Sequence, residues 1–194
     1  MQTDKIDFQQ VIAITNRHLC VRSFAEQIDR VCRLHPEAIV LGESDLPEED
    51  YASIVSETLF FCQEYNVDCI LHEYVDVARK YKVDKIHLPL EKLRKYGRDG
   101  LADFKVIGVT VYSVEEALEA QELGATYLAV GSIYKSDPRL NLESKGPDFL
   151  TEVSASVDIP IYGIGGIKLN PEQIQEVVEH GAVGACIMSG IMEL

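Results

Sequence analysis

The stretch whose reading decides the fold is Ile159-Pro160-Ile161-Tyr162-Gly163-Ile164-Gly165-Gly166-Ile167, followed by a helical run and then Gly184-Ala185-Cys186-Ile187-Met188-Ser189-Gly190-Ile191. It reads as strand, glycine turn, helix, strand and small-residue turn. Glycines directly after a strand let backbone amides come close to an anion. In parallel α/β barrels the loops after strands seven and eight form the usual phosphate site. One glycine turn is often only a tight connection. Two, at corresponding ends of consecutive strands, point to a barrel that binds a phosphorylated small molecule.

Outward from this segment, apolar strand-like runs alternate with amphipathic helical ones. The strands are Val11–Thr15, Ala38–Leu41, Cys69–His72, Lys85–Leu88, Val106–Val111, Tyr127–Gly131, Ile159–Gly163 and Ala185–Ser189. Phe24, Ile28, Val31 and Cys32 fall at helical spacing, as do Ile54, Thr58, Phe61 and Cys62. Gly124 and Gly181 stand where helices end, and Asn170-Pro171 where one begins. Eight strands alternating with helices predict an α/β fold of the (β/α)8 TIM-barrel type, one domain over residues 1–194. An open doubly wound sheet has the same alternation, so periodicity alone does not choose. The longest irregular stretch, Lys135–Gly146, follows the sixth strand, where long loops tend to carry function.

The chain is short for such a barrel, 194 residues against about 250. Strand eight is expected to finish near Ile191, which leaves Met192-Glu193-Leu194 and no complete final helix. The outward side chains of strands eight and one, Val11, Ala13, Ile187 and Ser189 or their alternates, would then lie uncovered. That predicts a second subunit over the gap, a homodimer about a two-fold axis; a truncated chain is the alternative.

The formal charge of −14 argues against nucleic acid or an anionic membrane as partner. No apolar run approaches the roughly 18 residues of a membrane span. Gln2-Thr3-Asp4-Lys5 is no signal peptide, so the expected compartment is the cytoplasm. The five cysteines form no close pair and read as free thiols, most of them buried.

Seven segments in order, each at a strand end, carry a family resemblance: Ile14-Thr15-Asn16-Arg17, Leu41-Gly42-Glu43-Ser44-Asp45-Leu46, Leu71-His72-Glu73-Tyr74-Val75-Asp76, Ile86-His87-Leu88-Pro89, Gly108-Val109-Thr110-Val111-Tyr112-Ser113, Val130-Gly131-Ser132-Ile133-Tyr134 and the Ile159–Ile191 segment. Together they resemble the thiamin phosphate synthase and thiazole tautomerase superfamily over nearly the whole chain. The resemblance implies thiamin biosynthesis. Synthases join a pyrimidine pyrophosphate to a thiazole phosphate, with Mg²⁺ and departure of pyrophosphate. Where the family places glutamine, arginine and lysine against pyrophosphate, this chain has Val40, Gly42 and Ser44. The metal-binding asparagine–aspartate pair appears as His72-Glu73, so Glu73 is the candidate left to ligate a metal. The second metal aspartate aligns with Lys92, whose charge opposes Mg²⁺.

The tautomerase branch, which works by proton transfer, resembles the chain at Pro89-Leu90 and at Met188-Ser189-Gly190-Ile191. Its general acid–base histidine after strand five corresponds to Tyr112. An unperturbed tyrosine near pKa 10 is a poor base but can donate a proton. His72 faces the same barrel mouth, so His72 and Tyr112 are the catalytic candidates; His87 has the parity of a core position. Gly165, Gly166, Met188 and Ser189 match the family's thiazole-phosphate positions, and Ser136 and Arg139 keep a hydroxyl and a cation of its long loop; Thr110 and Gly146 are further phosphate and substrate candidates, with Lys145 as an added charge. The expected partner is thus a thiazole phosphate. The alternative is a non-catalytic binder or regulator that kept the phosphate cup, and a phosphosugar isomerase on the same barrel is a third reading.

Overall fold

The computed structural model describes residues 5–135 and 143–194. Eight parallel strands close into a barrel in chain order: β1 (Val11–Ile14), β2 (Ala38–Leu41), β3 (Asp68–His72), β4 (Lys85–Pro89), β5 (Val106–Val111), β6 (Tyr127–Val130), β7 (Ile161–Ile164) and β8 (Gly184–Ile187). The closing ladder sets Val11 opposite Ala185 and Ala13 opposite Ile187. That closure distinguishes the barrel from an open doubly wound sheet. The helices are α1 (Phe24–Cys32), α2 (Glu48–Glu64), α3 (Val75–Lys80), α4 (Leu90–Gly100), α5 (Val114–Glu122), α6 (Asp148–Ser154), α7 (Pro171–Glu179) and α8 (Ser189–Met192).

Local chemistry places the helix ends. Ser23 and Glu26 cap α1 reciprocally. The Asn170 side chain accepts from the amides of Glu172 and Gln173, with Pro171 in the first turn of α7. Gly124 and Gly181, at φ +100° and +95°, take the left-handed turn after α5 and α7. All five cysteines are free, and all but Cys20 are buried.

Side chains alternate between two cores. Leu41, Leu71, Leu88, Val109 and Leu128 point outward under the helices. Ile12, Val40, Ile70, Ala129, Cys186 and Tyr127 fill the barrel interior. Tyr127 lies across β5, and a Cβ on Gly108 would sit 2.1 Å from its ring. Only glycine leaves that slot open.

The end of the chain differs from expectation. β8 stops at Ile187, because Met188 leaves the extended region (φ −110°, ψ −74°), and residues 189–192 coil into α8. Val11, Ala13, Ala185, Ile187, Ile191 and Met192 are all fully buried. The buried Gln27 of α1 donates its side-chain amide to the Ile191 carbonyl at 3.0 Å, and Arg22 reaches both Gln27 and the Leu194 carbonyl. A four-residue helix suffices because its two apolar side chains sit on the seam and α1 anchors it. The groove expected there is filled from within the chain, which removes the reason for placing a partner subunit over it. Replacing Ile191 by Ala should cost about 2–5 kcal/mol of stability, the usual range for a truncated core isoleucine. Urea unfolding measures it, and a loss below about 1 kcal/mol would show that α8 does not seal the seam.

Candidate functional site

The corner where β6, β7 and β8 end is built from backbone. The segment after β6 runs along the one after β7, with the Ile133 amide on the Ile164 carbonyl and the Tyr134 amide on the Gly165 carbonyl, both 2.9 Å. This approach leaves no room for side chains. A Cβ on Gly165 would lie 2.2 Å from Ser132 Oγ, and one on Gly166 2.6 Å from the Lys135 carbonyl. Both glycines have positive φ, +95° and +67°. Among the described residues, their amides donate to no carbonyl, which leaves them available to an anion. The β7–β8 register, with Ile164 opposite Cys186, brings Gly166 beside Met188 when it is continued. Gly190 packs on Leu169, where a Cβ would be 3.0 Å from the amide. Gly165, Gly166, Met188 and Ser189 therefore share one corner. The Tyr134 hydroxyl donates to Glu176 of α7 and holds the corner from behind.

Of the other phosphate candidates, none of the described ones joins this corner. Ser136 and Arg139 lie outside the described residues. Gly146 does not offer its amide to the corner. That amide donates to the Ile133 carbonyl at 2.9 Å and closes its own turn, at φ +76°. Lys145 Nζ donates to the Tyr112 carbonyl at 2.5 Å and sits 4.4 Å from the Phe149 ring centre.

At β3–β5 the interior holds a polar chain. His87 is enclosed, with Nδ1 2.7 Å from Tyr127 Oη and Nε2 2.8 Å from Thr110 Oγ1. Thr110 thus bonds an imidazole rather than standing free. The His72 ring stacks beside His87 at 5.8 Å. Its Nδ1 is buried with no hydrogen-bond partner among the described residues. Burial lowers the pKa of His72 and takes that of His87 to about 3, so both are neutral at pH 7. Tyr112, two residues beyond Thr110, is 39% exposed, yet desolvation still raises its pKa. The phenol therefore stays protonated at neutral pH and is no base there.

The mouth at β1 and β2 carries a cluster that the sequence reading passed over. Glu43 is 1% exposed and accepts from the Thr15 hydroxyl at 2.7 Å, from the Arg17 amide at 3.0 Å and from the Arg17 guanidinium at 3.0 Å. Asp45 takes the other side of that guanidinium, at 2.5 and 2.7 Å, and His18 at 2.9 Å. Hydrogen bonds from Arg17, then His18, hold the Asp45 carboxyl well below the usual range. The only sequence signal was two carboxylates at alternate positions just past a strand. Arg17 is held by both carboxylates here, so among the described residues it is not free to serve a pyrophosphate.

Glu73 is not poised as a metal ligand. It takes left-handed backbone (φ +69°), and its carboxylate pairs with Lys92 Nζ at 3.4 Å. No three acidic, histidine or cysteine side chains among the described residues gather in one cluster. Among the described residues, a Glu73 carboxylate already held by Lys92 is a poor match to Mg²⁺. Among the described residues no helix is long and apolar enough to cross a membrane.

The family model for thiamine monophosphate synthase matches residues 11–191. The chain belongs to that family. It is 30% identical over 193 residues to the thiamine-phosphate synthase of Clostridium acetobutylicum, covering 96% of this chain and 88% of the relative. It is 27% identical to that of Clostridium novyi, covering 97% and 92%. The solved thiamine phosphate pyrophosphorylase of Pyrococcus furiosus superposes with a TM-score of 0.83 at 28% identity, covering 96% and 89%. Within this thiamine monophosphate synthase barrel, the mouth joins a glycine corner after β7 to paired charges at β1–β3.

The His87 environment gives a pH test. Its folded pKa is depressed below the unfolded value, so the unfolded chain binds the extra proton first. This histidine's contribution to stability is therefore intact above about pH 6.5 and falls as pH drops from there toward about 3. In an NMR titration the His87 ring should stay neutral down to about pH 4. A midpoint near 6 would contradict the enclosure.

Proposed function

We propose that this barrel binds a thiazole phosphate in thiamin biosynthesis. The phosphate sits on the amides at Gly165, Gly166 and Ser189, and the heterocycle faces His72, Thr110 and Tyr112. The observation that carries this reading is the glycine corner after β7, where Gly165 and Gly166 leave no room for side chains and their amides are unengaged within the described residues. Local amides can hold an anion against the overall charge of −14 because they act at contact distance. Joining of a pyrimidine pyrophosphate is weak on this reading, since Gly42 and Ser44 replace two cations and Arg17 is held by Glu43 and Asp45. A second reading, proton transfer of the tautomerase kind, is favoured by one observation: His72 is kept neutral by burial beside the mouth. There Tyr112 serves as donor.

Two measurements test these statements. Gly166→Ala should weaken thiazole phosphate binding at least about tenfold, because its Cβ would collide with the backbone at Tyr134 and Lys135 and distort the cup. Ser189→Asp should do the same by charge while leaving the backbone intact. Calorimetric titration reads both, and unchanged affinity in the two variants would refute the cup. With both synthase substrates and Mg²⁺, turnover should fall about a hundredfold or more below the usual enzyme median of about 10 s⁻¹, since two charge-assisted contacts worth roughly 1.5–3 kcal/mol each are missing. Turnover near that median would mean that other cations serve the pyrophosphate.

A further inference from the structure

The polar chain inside the barrel has only two ways to arrange its hydrogens. His87 is neutral and carries one N–H, yet both ring nitrogens are within bonding distance of a hydroxyl, Tyr127 on one side and Thr110 on the other. In the first arrangement the Tyr127 O–H donates to Nδ1 and Nε2–H donates to Thr110 Oγ1. In the second, Nδ1–H donates to Tyr127 and the Thr110 O–H donates to Nε2. The second strands the phenolic hydrogen. Tyr127 is 5% exposed, and its oxygen has no other partner among the described residues. A buried hydrogen with no acceptor is the costlier fault, whereas an oxygen lone pair without a donor is tolerated more often. The first arrangement therefore holds, and it leaves the Thr110 hydrogen unused.

That hydrogen is placed for a ligand. Gly108 is the register partner of His87, and Thr110 stands two residues farther along β5, toward the mouth, opposite Pro89. Its oxygen already accepts from within the barrel, so its O–H is directed away from His87. Tyr127 can reach His87 only because Gly108 has no side chain in the way. We propose that Tyr127 and His87 are positioning residues that set the Thr110 hydroxyl as a hydrogen-bond donor to an acceptor atom on the non-phosphate end of the ligand. The ligand's identity rests on the thiazole phosphate reading above; the hydrogen arrangement does not.

The decisive measurement uses the intact, ligand-free protein with ¹⁵N-labelled histidine. At pH 7, long-range ¹H–¹⁵N correlation should show His87 protonated on Nε2 and pyridine-type on Nδ1. A protonated Nδ1 overturns the proposal. Tyr127→Phe keeps the ring but removes the donor. The Nδ1 signal should then move to that of an unbonded pyridine-type nitrogen, and an unmoved signal also overturns it. The ligand arm compares Thr110→Val with Thr110→Ser, using a carboxylated thiazole phosphate as probe. The valine variant should bind about tenfold more weakly and the serine variant like the parent. Equal binding by parent and valine variant overturns donation to the ligand. If the parent itself fails to bind, the thiazole reading falls and the ring-nitrogen result alone decides the positioning.

Discussion

A parallel strand leaves half its backbone groups bare on each open edge, and in this chain the bareness ends only where β8 meets β1. Val11 and Ala185, Ile12 and Cys186, Ala13 and Ile187 make that last ladder. The ladder would be wet on its outer side without Ile191 and Met192, which depend on Gln27. A buried glutamine is costly unless bonded. Its amide here meets the Ile191 carbonyl that a short helix would otherwise leave unsatisfied. The same bond thus satisfies a buried side chain and a helix end. The rest of the barrel, and the mouth it carries, follows from that closure.

The mouth is built in two styles. On the β6–β7 side the contact surface is backbone, fixed by Gly165 and Gly166, where a Cβ would collide with its neighbours. On the β1–β3 side it is charged side chains that satisfy one another: Arg17 with Glu43 and Asp45, Lys92 with Glu73. Amides fixed in rigid loops present partial positive charge without a counterion. Paired side chains present almost none. The electrostatic asymmetry across the mouth favours one anionic group at one end of a ligand and a neutral body at the other.

Much of this was legible from residues alone. Runs such as Val106–Val111 announce their strands because parallel strands are apolar on both faces. The glycines at 124 and 181 announce helix ends through left-handed backbone. β7 begins at Ile161 and not at Ile159 because Pro160 has no N–H to enter the ladder, though its carbonyl still accepts from Leu128. Gln27 was not legible, since a polar residue within a helix looks solvated and no period marks a buried amide. Nor was the pairing of Arg17 with Glu43 and Asp45, which lie on separate strand ends 26 and 28 positions away. His87 had the parity of a core position, and the structure agrees. Its bonds to Tyr127 and Thr110 needed the register of three strands.

Gly108 and Tyr127 are two halves of one choice, and this constrains how the barrel interior can change through descent. A larger residue at 108 evicts the phenol ring. A smaller residue at 127 opens a void and takes the donor from His87 Nδ1, faults that folded proteins survive more readily than a collision of backbone with ring. Substitutions at the two positions are therefore order-dependent: shrinking Tyr127 can come first, and enlarging Gly108 cannot. A lineage that has crossed in that order holds a barrel whose centre can be refilled with another shape, while its outer helices and its closing seam stay as they were.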